Sequence, residues 1–172
     1  MKHRVQGLVW LGLALAGAAQ ADPCLTQLPR SLQASVAAQA PQYRLPSAGD
    51  YPDAKGACPG VLRGRWGGKT AVAVVLPSRD GAAMELVLAQ PHASSWQLEV
   101  LLRPSRRDRL PTLSTAPAGR YLRTPALAEG MEPGEQSPLA CAVDGLRLDS
   151  PESAAAVFCP TSAGWRHVWV SD

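Results

Sequence analysis

The sequence predicts a mainly β domain of the α+β kind, an antiparallel β-meander with one N-terminal helix. Three observations lead there. Apolar or alternating runs of strand length recur from residue 61 onward. Turn-forming segments such as Ser78-Arg79-Asp80-Gly81 and Asp149-Ser150-Pro151 separate them. Helical spacing is confined to the region just after the N-terminal segment. Strands that follow one another across short turns make a meander the economical topology.

The first 21 residues read as a signal peptide. Lys2-His3-Arg4 form a basic head, Leu8 to Ala19 an apolar block, and Ala19-Gln20-Ala21 places small residues at a cut before Asp22. The block is shorter than the about 20 apolar residues that span a bilayer. A lipoprotein would carry its cysteine at the cut, and Cys24 lies two places beyond it. Removing residues 1–21 from the 172 leaves 151, the size of one domain, residues 22–172. No other stretch is long and apolar enough to span a membrane. Without Lys2 and Arg4, the 17 basic residues become 15 against 14 acidic ones. That near-neutral balance offers no field for a nucleic-acid partner.

Each element then has its own signal. Leu25, Leu28, Leu32 and Val36 recur at three and four, one apolar helical stripe over 25–39, with the regular helix expected to begin at Pro29. Residues 41–57, rich in Pro, Gly, Ser and Asp, read as loop. Val61 to Arg63 is a short strand. Thr70 to Leu76 is a continuous apolar run that suits a central strand buried on both faces. Met84 to Ala89 is its partner across the Asp-Gly turn. Ser95 to Leu102 alternates, with Trp96, Leu98 and Val100 on one face, as in a half-buried antiparallel strand. Residues 103–138 carry six prolines and read as loop-rich chain with one short strand near Arg120 to Leu122. Leu139–Val143, Leu146–Leu148, Ala154–Cys159 and Trp165–Val170 complete the strands.

Four cysteines, Cys24, Cys58, Cys141 and Cys159, all follow the expected cut, so an oxidising compartment and disulfides are expected. Four cysteines permit three pairings. If residues 141–148 pair antiparallel with 152–159, Cys141 sits opposite Cys159, although Gly145 could force a bulge and shift that register. Cys24 then takes Cys58.

Catalytic motifs are missing. The chain shows no Gly-x-Ser-x-Gly, His-Glu-x-x-His, Ser-x-x-Lys or Cys-x-x-Cys. The mature region has two histidines, which leaves no histidine-rich metal site. His92 follows Pro91 in a turn and reads as a surface residue. His167, between Trp165 and Trp169 on one strand face, reads as a packed structural histidine, with a triad base as the alternative. Arg103, Arg106, Arg107 and Arg109 crowd one loop. They are either a solvated loop or an anion or acidic-partner site, since guanidinium forks match carboxylates and phosphates. Trp96, Trp165 and Trp169 sit on strand faces and read as core. Trp66, in Gly64-Arg65-Trp66-Gly67-Gly68, is the aromatic expected to be exposed and the candidate binding anchor.

Cys58-Pro59-Gly60-Val61-Leu62-Arg63-Gly64-Arg65-Trp66-Gly67-Gly68 and the strand after it resemble a degenerate FG-GAP or VCBS repeat. The resemblance implies a propeller-blade strand preceded by a calcium loop. The aspartates that such a loop uses as hard oxygen ligands are replaced here by Arg65, Gly67, Gly68 and Lys69, so calcium binding does not carry over. The ending Gly164 to Asp172 resembles the C-terminus of uncharacterised exported bacterial proteins. Together these readings point to a periplasmic or secreted, non-catalytic binding protein without cofactor or metal. A protein inhibitor or immunity protein of the cell envelope, partnered by a toxin or envelope enzyme, is the concrete form. A small envelope hydrolase using His167 is the alternative.

Overall fold

The longest apolar run becomes the centre of the first sheet. The computed structural model describes residues 21–103, 109–127, 130–151 and 155–170. Strand β2 (Lys69–Pro77) lies between β1 (Val61–Trp66) and β3 (Met84–His92), and β4 (Ser95–Leu102) closes the sheet in the order β1-β2-β3-β4. Ala71 to Pro77 are buried without interruption, as a strand covered on both faces requires. Gly67 and Gly68, at φ +57° and +79°, make the two-residue turn joining β1 to β2. Both positions demand the left-handed region, and so does the primed hairpin turn.

The N-terminal region forms two helices, α1 (Pro23–Gln27) and α2 (Arg30–Gln39), where the sequence suggests one. Leu28 and Pro29 take extended ψ values of 128° and 140° between them, and Pro29 serves as the cap of α2. The break leaves Leu25 40% exposed, off the stripe, while Leu28, Leu32 and Val36 remain buried. Helix α2 packs beside β4. Ser35 Oγ accepts from Trp96 N at 3.1 Å and Gln39 Nε2 donates to Trp96 O at 2.6 Å. These bonds occupy the backbone groups of Trp96 that face away from β3, where its partner Pro91 has no N–H to offer.

The second sheet has the order β10-β9-β8-β5, from β5 (Thr112–Ala116), β8 (Gly145–Asp149), β9 (Ala155–Thr161) and β10 (Gly164–Val170). β5 was not anticipated, because Pro111 and Pro117 flank it; they end the strand without entering it. β6 (Gly119–Tyr121) and β7 (Leu139–Cys141) form a separate ribbon.

Residues of β9 alternate between two apolar clusters. Ala156 and Phe158 join the main core with Leu146, Leu148, Leu113 and the first sheet. Ala155, Val157 and Cys159 join Val168, Val170, Leu139 and Cys141 beneath the ribbon. The second sheet is thus covered on both faces.

Disulfides join Cys24 to Cys58 and Cys141 to Cys159, with Cα atoms 5.0 and 5.2 Å apart. The register proposed for the second pair is corrected. The ladder runs Leu146↔Phe158, Arg147↔Val157 and Leu148↔Ala156, four places from the expected one. Gly145 is the reason: a β-carbon on it would lie 2.2 Å from the Phe158 carbonyl oxygen, so only glycine lets β8 approach there. Cys141 ends β7 of the ribbon, and its bond to Cys159 crosses between layers instead of along a ladder.

Candidate functional site

The segment that reads as loop, 41–57, is built from two short 3₁₀ turns, Ala48–Asp50 and Pro52–Ala54. Arg44 clamps the first with a two-pronged ion pair to Asp50, Nη1–Oδ2 at 2.7 Å and Nη2–Oδ1 at 2.6 Å. Ser47 N and Oγ also donate to Asp50 Oδ2. Burial pushes the Asp50 carboxyl up, but the Arg44 and Ser47 hydrogen bonds outweigh it and hold it below the usual carboxylate range. Asp22 ties the same region to the helix: Oδ1 accepts from Cys24 N at 2.8 Å and Oδ2 from Ala48 N at 3.0 Å.

This clamp sets one wall of a cleft of about 310 Å³. Tyr51, Pro52, Asp53 and Ala54 form that wall; Pro59, Leu110, Thr112 and Pro151 form the rest, with Arg109 at the rim. Tyr51 is buried, and its hydroxyl lacks a hydrogen-bond partner. Burial, then the nearby Asp50 charge, push that hydroxyl's pKa up, so it stays neutral. Gly60 lies directly against it: a β-carbon there would come 1.8 Å from Oη. Arg109 Nη1 meets Asp53 Oδ2 at 3.0 Å, and both side chains are exposed. An exposed pair of this kind is weak, so either member can exchange its partner for an incoming charge. The cleft offers an apolar floor stiffened by three prolines, with one exchangeable ion pair beside it.

The residues singled out from the sequence fare differently. Trp66 is 5% exposed, and the expectation of an exposed anchor is corrected. Its indole Nε1 donates to the Gly145 carbonyl at 3.2 Å, and its ring meets Trp165 edge-on at 6.4 Å. The glycines around it turn the chain tightly and send the side chain inward. A ring so placed cannot anchor a partner at the surface. Arg103 is 70% exposed, but its Nε donates at 2.6 Å to Glu85, a carboxylate only 4% exposed. Arg103 therefore compensates a charge buried within β3, which limits its freedom as an anion site. Arg106 and Arg107 lie outside the described residues. Trp96, Trp165 and Trp169 are half-buried, packed against the main core without being inside it.

His92 is exposed, as read. His167 is buried, stacked on Phe158 with ring centroids 5.4 Å apart and edge-on to Trp169 at 6.3 Å. Its Nε2 lies 3.7 Å from Glu132 Oε2, too far for a hydrogen bond, and meets no hydrogen-bond partner among the described residues. Among the described residues no serine hydroxyl hydrogen-bonds to it; Ser137 Oγ accepts from Arg123 N instead. The sequence reading missed Tyr51, Asp53, Leu110 and Pro151. An aromatic residue set in a Pro/Gly-rich loop was the one available hint. Comparison with family models, with curated proteins and with solved structures finds no match for this chain.

Proposed function

We propose that this chain is an exported binding protein, acting in the cell envelope as a protein inhibitor or immunity protein, with the cleft beside Tyr51 as its recognition surface. The cleft carries the reading. It is preformed, largely apolar and of the size at which ligand pockets begin. Its walls are fixed in advance by the Arg44–Asp50 clamp, by three prolines and by the Cys24–Cys58 bond next to Pro59. Fixed walls reduce the ordering cost of binding. Two disulfides suit an oxidising compartment, periplasmic or extracellular. Cleavage at Ala21 would make Asp22 the first residue, and its carboxylate already caps α1.

The hydrolase alternative has less support. A triad base needs a hydroxyl to activate, and the side-chain oxygen that approaches His167 Nε2, at 3.7 Å, is the Glu132 carboxylate's. The proposal is tested by placing a photo-crosslinking residue at Asp53 or Thr112 in cells, with Thr161, at the β9–β10 turn, as control. One discrete protein adduct from the cleft positions, absent from the control, is expected. Identical adduct patterns at both places, or none at the cleft, would reject it.

A further inference from the structure

His167 raises a question that the cleft does not answer. The 130–136 segment runs along the free edge of β10. Gln136 N donates to His167 O at 2.8 Å, and His167 N donates to Gly134 O at 3.2 Å. Glu135 forms a parallel bridge to His167, and its buried carboxylate accepts from Arg123 Nε at 2.8 Å. Gly134 lies over the imidazole: a β-carbon on it would come 3.7 Å from Nδ1. Phe158 of β9 stacks on the ring from the sheet side.

The charged groups around the ring are few. From the segment come Glu132, whose Oε2 lies 3.7 Å from Nε2, and Glu135, already bound by Arg123. Glu132 also accepts from Trp169 Nε1 at 3.2 Å, and its side chain is 53% exposed. From β9 the neighbour is the Phe158 ring. On β10 itself, Arg166 turns its guanidinium to the Trp165 carbonyl.

We propose that the 130–136 segment is an acid-sensitive strap: protonation of His167 releases it from β10 and frees the edge of that strand at His167, while Thr124 N keeps its bond to Trp169 O. A neutral imidazole fits between two aromatic rings. An imidazolium there gives up its water shell, and only Glu132, half-exposed and 3.7 Å from Nε2, and Glu135, already paired with Arg123, are left to offset that loss. Burial lowers the His167 pKa below its ordinary 6.5, and the pull of Glu132 and Glu135 does not restore it. A base whose pKa is lower in the closed state favours that state at high pH and loses the advantage as pH falls below 6.5. The opening constant then rises by up to about tenfold per pH unit, until the closed-state pKa is reached.

The strap yields before the sheet does. Named backbone bonds at Gly134 and Gln136 hold it to His167, whereas the β9–β10 ladder runs from Gly164 to Val170. Local opening is the less costly way to wet the ring.

Hydrogen exchange of the oxidised, full-length chain, corrected for intrinsic rates, tests this at about pH 7.5 and about pH 5. The Gln136 and His167 amides should lose protection in acid relative to the β2–β3 ladder, by a factor that the downward shift of the His167 pKa caps. His167→Gln should abolish the difference. Glu132→Gln, which leaves the imidazole in place, should deepen the acid opening. Equal protection at both pH values, or the same pH dependence in His167→Gln, would overturn the proposal. If His167→Gln does not fold, the parent chain decides by NMR. Strap amides must titrate with the midpoint of the His167 ring, and a ring that titrates without them refutes the strap.

Discussion

Trp66 gives the sharpest test of the packing. Gly64 lies under its ring: a β-carbon at 64 would come 2.5 Å from Cζ2 and 2.7 Å from Cη2. The ring belongs to the main core, so it has little room to retreat. Gly64→Ala therefore overpacks the site, at about 1–3 kcal/mol. Trp66→Phe removes the indole N–H and leaves the Gly145 carbonyl without its buried donor, which costs about 1–3 kcal/mol. The double variant should be less damaged than the sum. Phenylalanine lacks the fused six-membered ring that the new methyl would strike, so a favourable coupling of about 0.5–3 kcal/mol is expected for residues in contact. Urea unfolding of the oxidised proteins, followed by far-ultraviolet circular dichroism, measures all four corners of the cycle. Two single variants within about 0.5 kcal/mol of the parent would place Trp66 at the surface. Additivity within about 0.3–0.5 kcal/mol would show that the methyl and the ring do not meet.

Other expectations follow from the same geometry. Replacing both Cys24 and Cys58 by serine opens a link spanning 34 residues, and the chain-entropy relation gives a loss of about 4 kcal/mol. The Cys141–Cys159 link spans 18, for which the same relation gives about 3 kcal/mol. Denaturant midpoints should rank the two in that order, and the reverse order would contradict the entropic account. Ala93 sits at φ +49° in the β3–β4 turn, so Ala93→Gly should raise stability by about 1 kcal/mol, whereas a lower melting temperature would show that the turn is unstrained. The Asp50 carboxyl is held below its ordinary 3.8, so its contribution is present above that value and lost as pH falls through the lower folded one. Arg44→Ala should therefore move acid unfolding to higher pH; an unchanged acid midpoint would show that the clamp does not bear on stability.

Much of the fold was legible because β patterning is local. The unbroken run Ala71 to Leu76 states its burial within a few residues, and the alternation from Ser95 does so as far as Leu98; beyond it the bulge opposite Leu86 and Val87 leaves Val100 38% exposed, against the sequence reading, and turns Leu101 toward the core. β5 was hidden because Pro111 and Pro117 sit at its ends and suppress the strand signal without breaking the strand. The register near Cys141 failed for a different reason. It depends on how closely Gly145 approaches Phe158, a contact between segments that spacing does not encode. Trp66 misled for a related cause. Glycines on both sides suggest an exposed loop, yet in a two-residue hairpin they fix the turn while the flanking side chain keeps its strand face. The cleft was the least legible part. Its walls come from residues 50–54, 59, 109–112 and 151, and no local pattern links them.

The order of the cysteine pairs bears on how the chain acquires its covalent form. First joins second and third joins fourth, so neither bond encloses or interleaves with the other. As the chain is made, or as it crosses a membrane under the export proposed above, Cys24 and Cys58 emerge together well before Cys141 appears. The first sheet, drawn wholly from residues 61–102, can close around that pair while the rest is still in transit. β5 must wait for β8, and the final bond is left with two remaining thiols and a single way to join them. Pairs that appear and close in this order give the sulfurs little occasion to mispair.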